Sequence, residues 1–526
     1  MKNRSKQIWI IALVLGWLFD FLFWKHTPGI NFFIYVILCL VGGYLVLRKD
    51  GIKPATRSWI LVIPILFFAV ISFLRQEPLS LFLAFVFCLI LMGLLAITYT
   101  GGRWSSFGLA DYLVAFFHLA AGVLTKPFLF TNEKKQQIEE NVGANENKNI
   151  WPIVRGILIA IPFLATFSAL LSSADLVFAQ HLDSFIQLFR LEKLPEYIFR
   201  VIYIIIGAYS LVGIFLHAAI SSRNEKLIGE EKPLIPPFLG FIESSIILGS
   251  VAVLFSAFVV IQFQYFFGGQ VNINIDGYTY AEYARKGFGE LIAVAVFSLV
   301  LFLGLSGITH RKVALQRKIF SGLGLAVVIL VGIMLVSAFQ RLILYESAYG
   351  FSQLRTYTHL FMFWLGLLLV AVVFLEIMNK ERKFALAVVL TSLGFAASLA
   401  LLNVDGFIVR QNVERAIQGQ ELDAAYLASL STDSIPALVG KFNDIKLSEE
   451  IREQLGASLA CMSAIKPLQD ERDWHSFNYS QFNGQKMLAG LETKLTAYKI
   501  NDYEYQKFVT TPSGKKIDCW DYDIMD

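Results

Sequence analysis

Eleven apolar segments between residues 8 and 402 are separated by loops whose positive charge alternates from one loop to the next. Counted from the N-terminus, the loops of one side hold 22 Lys and Arg, among them Lys2, Arg48, Lys49, Arg103, Lys134, Arg311 and Arg382. The other side holds 8: Lys25, Arg75, Arg190, Lys193, Arg285, Lys286, Arg341 and Arg355. Lys and Arg resist translocation, so this bias puts the first side in the cytoplasm. The segments run over about 8–24, 30–47, 58–74, 79–98, 153–171, 198–219, 241–263, 291–308, 319–339, 357–377 and 384–402. Each is close to the ~20 residues that cross a bilayer as helix. The expected fold is therefore an all-α polytopic membrane protein of about eleven transmembrane helices. A small, mainly helical C-terminal extramembrane domain follows them. The N-terminus is expected inside and the C-terminal domain outside.

The first segment has a basic start and could pass for a secretory signal. No small-x-small cleavage pattern follows it, however, and a second apolar run begins at Ile30. It reads as an uncleaved first helix. Segment 107–124 (FGLADYLVAFFHLAAGVL) is long enough to span but carries Asp111 and His118. As a twelfth span it would move every later loop to the other side and erase the charge bias. It is expected as an interfacial or re-entrant helix.

These readings divide the chain into four parts. An N-terminal transmembrane part (1–130) is followed by a polar cytoplasmic linker (131–150), a seven-span core (151–402) and an extracytoplasmic domain (403–526). The last part carries 13 Lys and Arg against 19 Asp and Glu, a net charge of −6, whereas the preceding part is +10. An acidic tail of 124 residues behind a basic membrane part is a separate water-exposed unit, large enough for its own core.

In the tail, 404–416 is expected as helix and 422–442 as two short helices, with Ser431, Thr432 or Asp433 capping the second. Residues 451–465 are amphipathic, and 494–509 with the turn at Ser513–Gly514 permits a small strand pair. Cys461 and Cys519 are the tail's two cysteines. An outside location permits their oxidation to a disulfide, and two unpaired thiols are the alternative.

Motifs exclude more than they include. There is no GxxxxGK[ST], CxxC or HExxH, and the seven His are scattered. No metal site, cofactor, catalytic residue or nucleic-acid partner is expected, and His118 and His217 are expected to satisfy hydrogen bonds within the helices. Charged groups near the membrane are more telling, because burying them in lipid is costly. Under this topology Arg285, Lys286, Arg341 and Arg355 gather near one leaflet with Glu282, Glu290, Glu346 and Asp175. Guanidinium groups suit two-point recognition of phosphate or carboxylate. The four cations are thus candidate ligands for an anionic lipid or envelope precursor, with the four acids orienting them. The same residues could instead form a salt-bridged collar that needs no ligand.

Several of these stretches carry a resemblance. YTYAEYARKGFGEL (278–291), QYFFGG (264–269), ESAYGFSQLRTY (346–357), LLSSADLVF (170–178) and YLASLSTDSIPAL (426–438) resemble signature segments of an uncharacterised bacterial membrane family, domain of unknown function 4173. Leu176 and Ser352 depart from its pattern, where Pro and Thr are usual. The resemblance covers about 151–442 and implies a bacterial plasma-membrane protein without an established activity. Three classes of function fit these features. The first is a transporter-like or lipid-handling protein. The second is a sensor or scaffold that reads the envelope through its tail, with a protein partner there. The third, an integral-membrane transferase, is disfavoured by the short first outer loop, 25–29.

Overall fold

The structure is a computed structural model that describes residues 5–141, parts of 156–178, and 194–222, 236–267, 288–311, 313–378, 380–465, 473–503 and 506–519. Eleven of its helices are long and apolar enough to cross a membrane. They are α1 (Ser5–Phe23), α2 (Ile30–Lys49), α3 (Val62–Leu74, with the preceding turn Thr56–Trp59), α4 (Pro78–Thr98), α5 (Leu109–Asn141) and α6 (Leu194–Ile220). The series continues with α7 (Phe241–Phe267), α8 (Phe288–Ile308), α9 (Ala314–Tyr349), α10 (Gln353–Ile377) and α11 (Phe384–Leu402). The chain is an all-α polytopic membrane protein.

Ten of the eleven expected spans coincide with these helices. The expected span 153–171 is described only in part, at nine residues between 156 and 171, each of them helical. Segment 107–124 falls in α5, which is continuous, and its stretch Leu109–Thr131 meets the length and apolarity of a span. Large apolar side chains such as Phe117, Ile246 and Phe297 stand exposed on these helices, as on surfaces solvated by lipid rather than water.

Contacts group the chain into two units. The first comprises Met1–Trp24, Leu38–Lys53 and Phe117–Ser222. Its core sets Ile8, Ala12 and Leu15 of α1 against Ala208, Val212 and Leu216 of α6. At one end of this pair Asp20, 2% exposed, accepts hydrogen bonds from Arg200 (2.9 Å) and Tyr203. An acid within a span thus meets a cation and a phenol, which offset its desolvation.

The second unit comprises Lys25–Ile37, Pro54–Phe116 and Arg223–Asp526. Its membrane core packs Phe302, Phe320, Val331, Met334 and Met362 from α8, α9 and α10. The C-terminal domain continues from α11 almost without a break. Asn403, in the left-handed region at φ 52°, ends α11, and its side chain caps the next helix, α12 (Val404–Ile417). Then come α13 (Ala424–Ser429), α14 (Ile435–Phe442), α15 (Glu449–Ile465) and α16 (Tyr479–Ala489). Leu399 of α11 shares one buried cluster with Ile408, Leu427, Leu438, Leu455 and Met462, so the domain's core begins at the end of the last span.

An antiparallel sheet closes the domain. It has three strands where the sequence suggested a pair: β1 (Lys499–Tyr503), β2 (Gln506–Thr510) and β3 (Lys516–Asp518). The register pairs Val509 with Ile517, and these two pack with Ala457 and Ala460 in one buried cluster, while Ile500, opposite Val509, stays exposed. Cys461 and Cys519 are joined by a disulfide in that core.

The bridge closes a loop of 58 residues. The chain-entropy argument assigns such a loop about 4 kcal/mol. Replacing both cysteines by serine should lower the thermal midpoint of the purified protein by that order of destabilisation. Alkylation under denaturing conditions should modify two cysteines, Cys39 and Cys88, before reduction and four after it. Four modified thiols without reduction would rule the bridge out.

Candidate functional site

Short segments of the second unit carry the C-terminal domain, and buried carboxylates hold the joins at the turn before α4 and the start of α10. The turn before α4 exposes the backbone N–H groups of Gln76 and Glu77. Both donate to one oxygen of Asp433, at 2.8 and 2.9 Å. The Glu77 carboxylate, 1% exposed, caps α4 by accepting from Leu79 (2.8 Å) and Ser80 (2.7 Å), and the Tyr357 hydroxyl donates to it as well. Asp405 is fully buried in the first turn of α12, accepting from the Gln353 amide (2.7 Å) and the Ser431 backbone (2.8 Å). Burial pushes its carboxyl above the usual range; bonds from Ser431 and Gln353 oppose this shift, and nearby Glu77 adds to it. Asn412 pairs both ways with the Phe351 backbone, at 2.8 and 2.9 Å, so the α9–α10 loop is bound as a strand neighbour would be.

None of the three expected residues caps α14, which has Ser434 at its N-cap without a side-chain bond. Ser431 caps a 3-10 turn at Thr432–Ser434, while Asp433 reaches out of the domain to the turn before α4.

The candidate anion ligands are placed differently. Arg355 donates to the carbonyls of Tyr349 (3.2 Å) and Gly350 and lies 4.2 Å from the Tyr345 ring centroid. Arg415 donates to the carbonyls of Ser347 (2.9 Å) and Ala348 (3.2 Å). Two guanidinium groups thus close the C-terminal end of α9, where carbonyls lack helical partners and the helix dipole favours a cation. Glu346, buried, faces the His359 ring at 3.0 Å. Arg341 is half-buried on α9, and Glu290 is exposed in the first turn of α8. Asp175 belongs to the first unit and is exposed, accepting from the Val177 (2.7 Å) and Phe178 (3.1 Å) backbones. Glu282, Arg285 and Lys286 lie outside the described residues. Among the described candidates, Arg355 and Glu346 are tied into helix-end structure.

A cleft of about 880 Å³ opens in the C-terminal domain itself. Its walls bring Glu449, Glu450, Arg452 and Glu453 of α15 opposite Lys494 and Lys515. Ile445, 86% exposed, and Tyr498 supply apolar surface. Burial works against ionisation of Glu453, yet hydrogen bonds from Ser513 and Thr511, with Lys515 nearby, hold its carboxyl below the ordinary value. Burial and the Glu453 charge push the Tyr498 phenol up to about 12. Gly456 makes this geometry feasible, since a Cβ there would lie 2.1 Å from the Tyr498 oxygen. The size suits a small ligand or a peptide segment, and both signs of charge are present. Sequence reasoning singled out none of these residues, although the i, i+3, i+4 spacing of Glu449, Arg452 and Glu453 was a legible signal.

A third cluster joins the α1–α2 loop to residues 473–478. His26 and His475 stack with centroids 4.1 Å apart, and each presents Nδ1 to the same Asp473 oxygen, at 3.0 and 3.1 Å. Burial raises the Asp473 pKa, but hydrogen bonds from Ser476, His26 and His475 outweigh it and hold the carboxyl at about 2.

The fold and these sites define a polytopic membrane protein with a helical extramembrane domain fixed on its span ends. The chain belongs to the family described as domain of unknown function (DUF4153), whose profile matches residues 62–440. The resemblance to family 4173 is corrected by this match, which also begins well before residue 151. Apolar helices draw on few residue types, so short segments beside them discriminate poorly between membrane families. Comparison with curated proteins and comparison with solved structures each find no match to the chain.

The mount can be tested through Asp405. With its native pKa raised above about 3.9 for the unfolded chain, the proton it binds stabilises the fold at low pH. That stabilisation is lost as pH rises from the unfolded value through the raised native one. Asp405→Asn does not titrate, so the difference in thermal midpoint, wild type minus variant, should fall as pH increases from 4 to 8. A difference independent of pH would show that Asp405 keeps an ordinary pKa.

Proposed function

We propose that this is a bacterial plasma-membrane protein that holds an extracytoplasmic recognition domain in fixed orientation on its spans, where the domain reads a polar ligand of the envelope. The observation that carries this reading is the cleft bounded by Glu449, Glu453, Lys494 and Lys515, in a domain anchored by buried carboxylates. Lining of both signs suits a ligand that also carries both, such as a peptide segment. The reading favours a sensor or scaffold over a transporter. Support for an anionic lipid bound by Arg285, Lys286, Arg341 and Arg355 is weaker, because the Arg355 donors meet the end of α9.

Two observations support the orientation. The loop charges stand at 22 against 8, and the tail's cysteines are bridged, as is usual outside the reducing cytoplasm. Parity constrains the number of crossings. The loops at Gln76–Glu77 and Phe351–Gln353 both bind the C-terminal domain, so an even number of spans separates them. Helices α4, α6, α7, α8 and α9 lie between, so just one of α5 and segment 153–171 crosses as well. Choosing α5 would carry Lys126, Lys134, Lys135 and Lys148 across and weaken the bias to 18 against 12 or more. Charge therefore favours 153–171 as the span and α5 as an interfacial helix.

Single cysteines at Lys53, Asn145 and Ser513, labelled in intact cells with an impermeant thiol reagent, test this topology. Label is expected at 513 alone. Label at 145 as well would make α5 the span, and label at 53 without 513 would invert the protein.

The recognition reading is tested by a photo-crosslinking residue at Ile445, in the cleft, and at Ile500, on the sheet. An adduct with an envelope component is expected from 445 and not from 500. Equal yields from both, or none from 445 when lipid adducts form at Arg341, would overturn it.

A further inference from the structure

Among the described residues, the group that the mount and the cleft leave unused is His26, Asp473 and His475. We propose that these three side chains bind a divalent transition-metal ion, zinc by preference, which clasps the α1–α2 loop to the C-terminal domain. The backbone fixes their positions before any ion arrives. Ile30 N–H donates to the Phe477 carbonyl (2.9 Å) and Asn31 N–H to that of His475 (3.1 Å), so the start of α2 lies along 475–477. Gly29 permits that approach, since a Cβ there would meet the Phe477 carbonyl oxygen at 2.7 Å. Asn31, fully buried, accepts from Gly29 N–H (2.7 Å) and holds the turn closed. The Trp474 ring stacks on His475, with centroids 4.0 Å apart, and restricts its imidazole from the other side.

The donor set matches zinc in type, two imidazoles and one carboxylate. It also matches in spacing. One ligand atom from each residue lies within 4.8 Å of the other two. Bonds of about 2.0–2.1 Å to a tetrahedral ion place donors roughly 3.3 Å apart. The Nδ1 atoms of His26 and His475 already stand 3.0 and 3.1 Å from the Asp473 oxygen. One ion would thus replace two hydrogen bonds that converge on a single oxygen, and the stacked imidazoles, 15° from parallel, would turn apart about their side-chain torsions so that each ring plane contains the ion. The three side chains are 28, 25 and 13% exposed for His26, Asp473 and His475, which leaves an approach from solvent and a fourth position for water or a ligand atom. The partners are 449 residues apart in sequence, which is why no ligand-spacing motif announces them.

The test uses the full-length protein in detergent, treated with chelator and then titrated with Zn²⁺ by calorimetry, and with Co²⁺ by absorption. One equivalent of Zn²⁺ should bind and raise the thermal midpoint. Bound Co²⁺ should give the intense visible bands of a tetrahedral site, removed by Zn²⁺. His26→Ala and His475→Ala should each weaken Zn²⁺ binding by about 100-fold or more, since even outer-shell changes cost 10–100-fold. His310→Ala, outside the cluster, should bind as wild type does. No saturable binding, an octahedral Co²⁺ spectrum, or equal affinity in the His26 and wild-type proteins would overturn the proposal. The Co²⁺ spectrum of the wild type decides the matter even where a variant fails to fold.

Discussion

The seating of the C-terminal domain on the spans depends on carboxylates that leave water at the span ends. Glu77, Asp405 and Asp433 are each at most 3% exposed, and none is neutralised by a close Lys or Arg in the bonds described. They are held instead by backbone N–H groups, an amide and a phenol. An acid buried in this way contributes only while all its donors remain in place, because a lost donor exposes the full desolvation cost. The consequence is geometric. The domain can dock in one register against the turn before α4 and the start of α10, and a shift of one residue would strand two or three buried charges. Apolar packing between Leu399 and the α12 core supplies attraction but little direction. The acids supply the direction.

The spans were legible because lipid imposes a simple rule on sequence: about 20 apolar residues, with positive charge on the retained side. The domain's helices were legible from periodicity and capping residues. The mount was not, since its partners are spread from Glu77 to Asp433 and no local pattern joins them. Asp433 illustrates the limit. Its position after Ser431 and Thr432 reads locally as a helix cap, yet tertiary structure recruits its carboxylate for Gln76 and Glu77. Arg355, a candidate ligand from sequence, shows a second limit. A cation near a membrane surface suggests an anionic ligand, but Arg355 and Arg415 also find four neutral carbonyl acceptors at the end of α9.

The family match helps to separate mounting from recognition. Residues 62–440 include Glu77, Tyr357, Asp405 and Asp433, so the three acids that hold the C-terminal domain lie within the matched region. The cleft walls lie beyond it, from Phe442 to Lys515, as do Asp473 and His475, while His26 precedes it. The matched region therefore holds the means of fixing a domain on the span ends. The surfaces that could recognise something are built largely from chain on either side.

That division makes mechanical sense of the cluster at His26. A domain tied only to the α3–α4 turn, the α9–α10 loop and the end of α11 is held by the matched region alone. The strand-like contact of Ile30 and Asn31 with 475–477 adds a tie from the first interhelical loop. This tie reaches the segment directly before α16, whose Ser480 meets Thr432 beside Asp433. Whatever tightens the three side chains at His26, Asp473 and His475 therefore also bears on the segment that packs against the mount. A ligand in the cleft and an ion at the clasp would act on the same small core, and the rigid acid contacts beneath it give that core a fixed reference on the membrane.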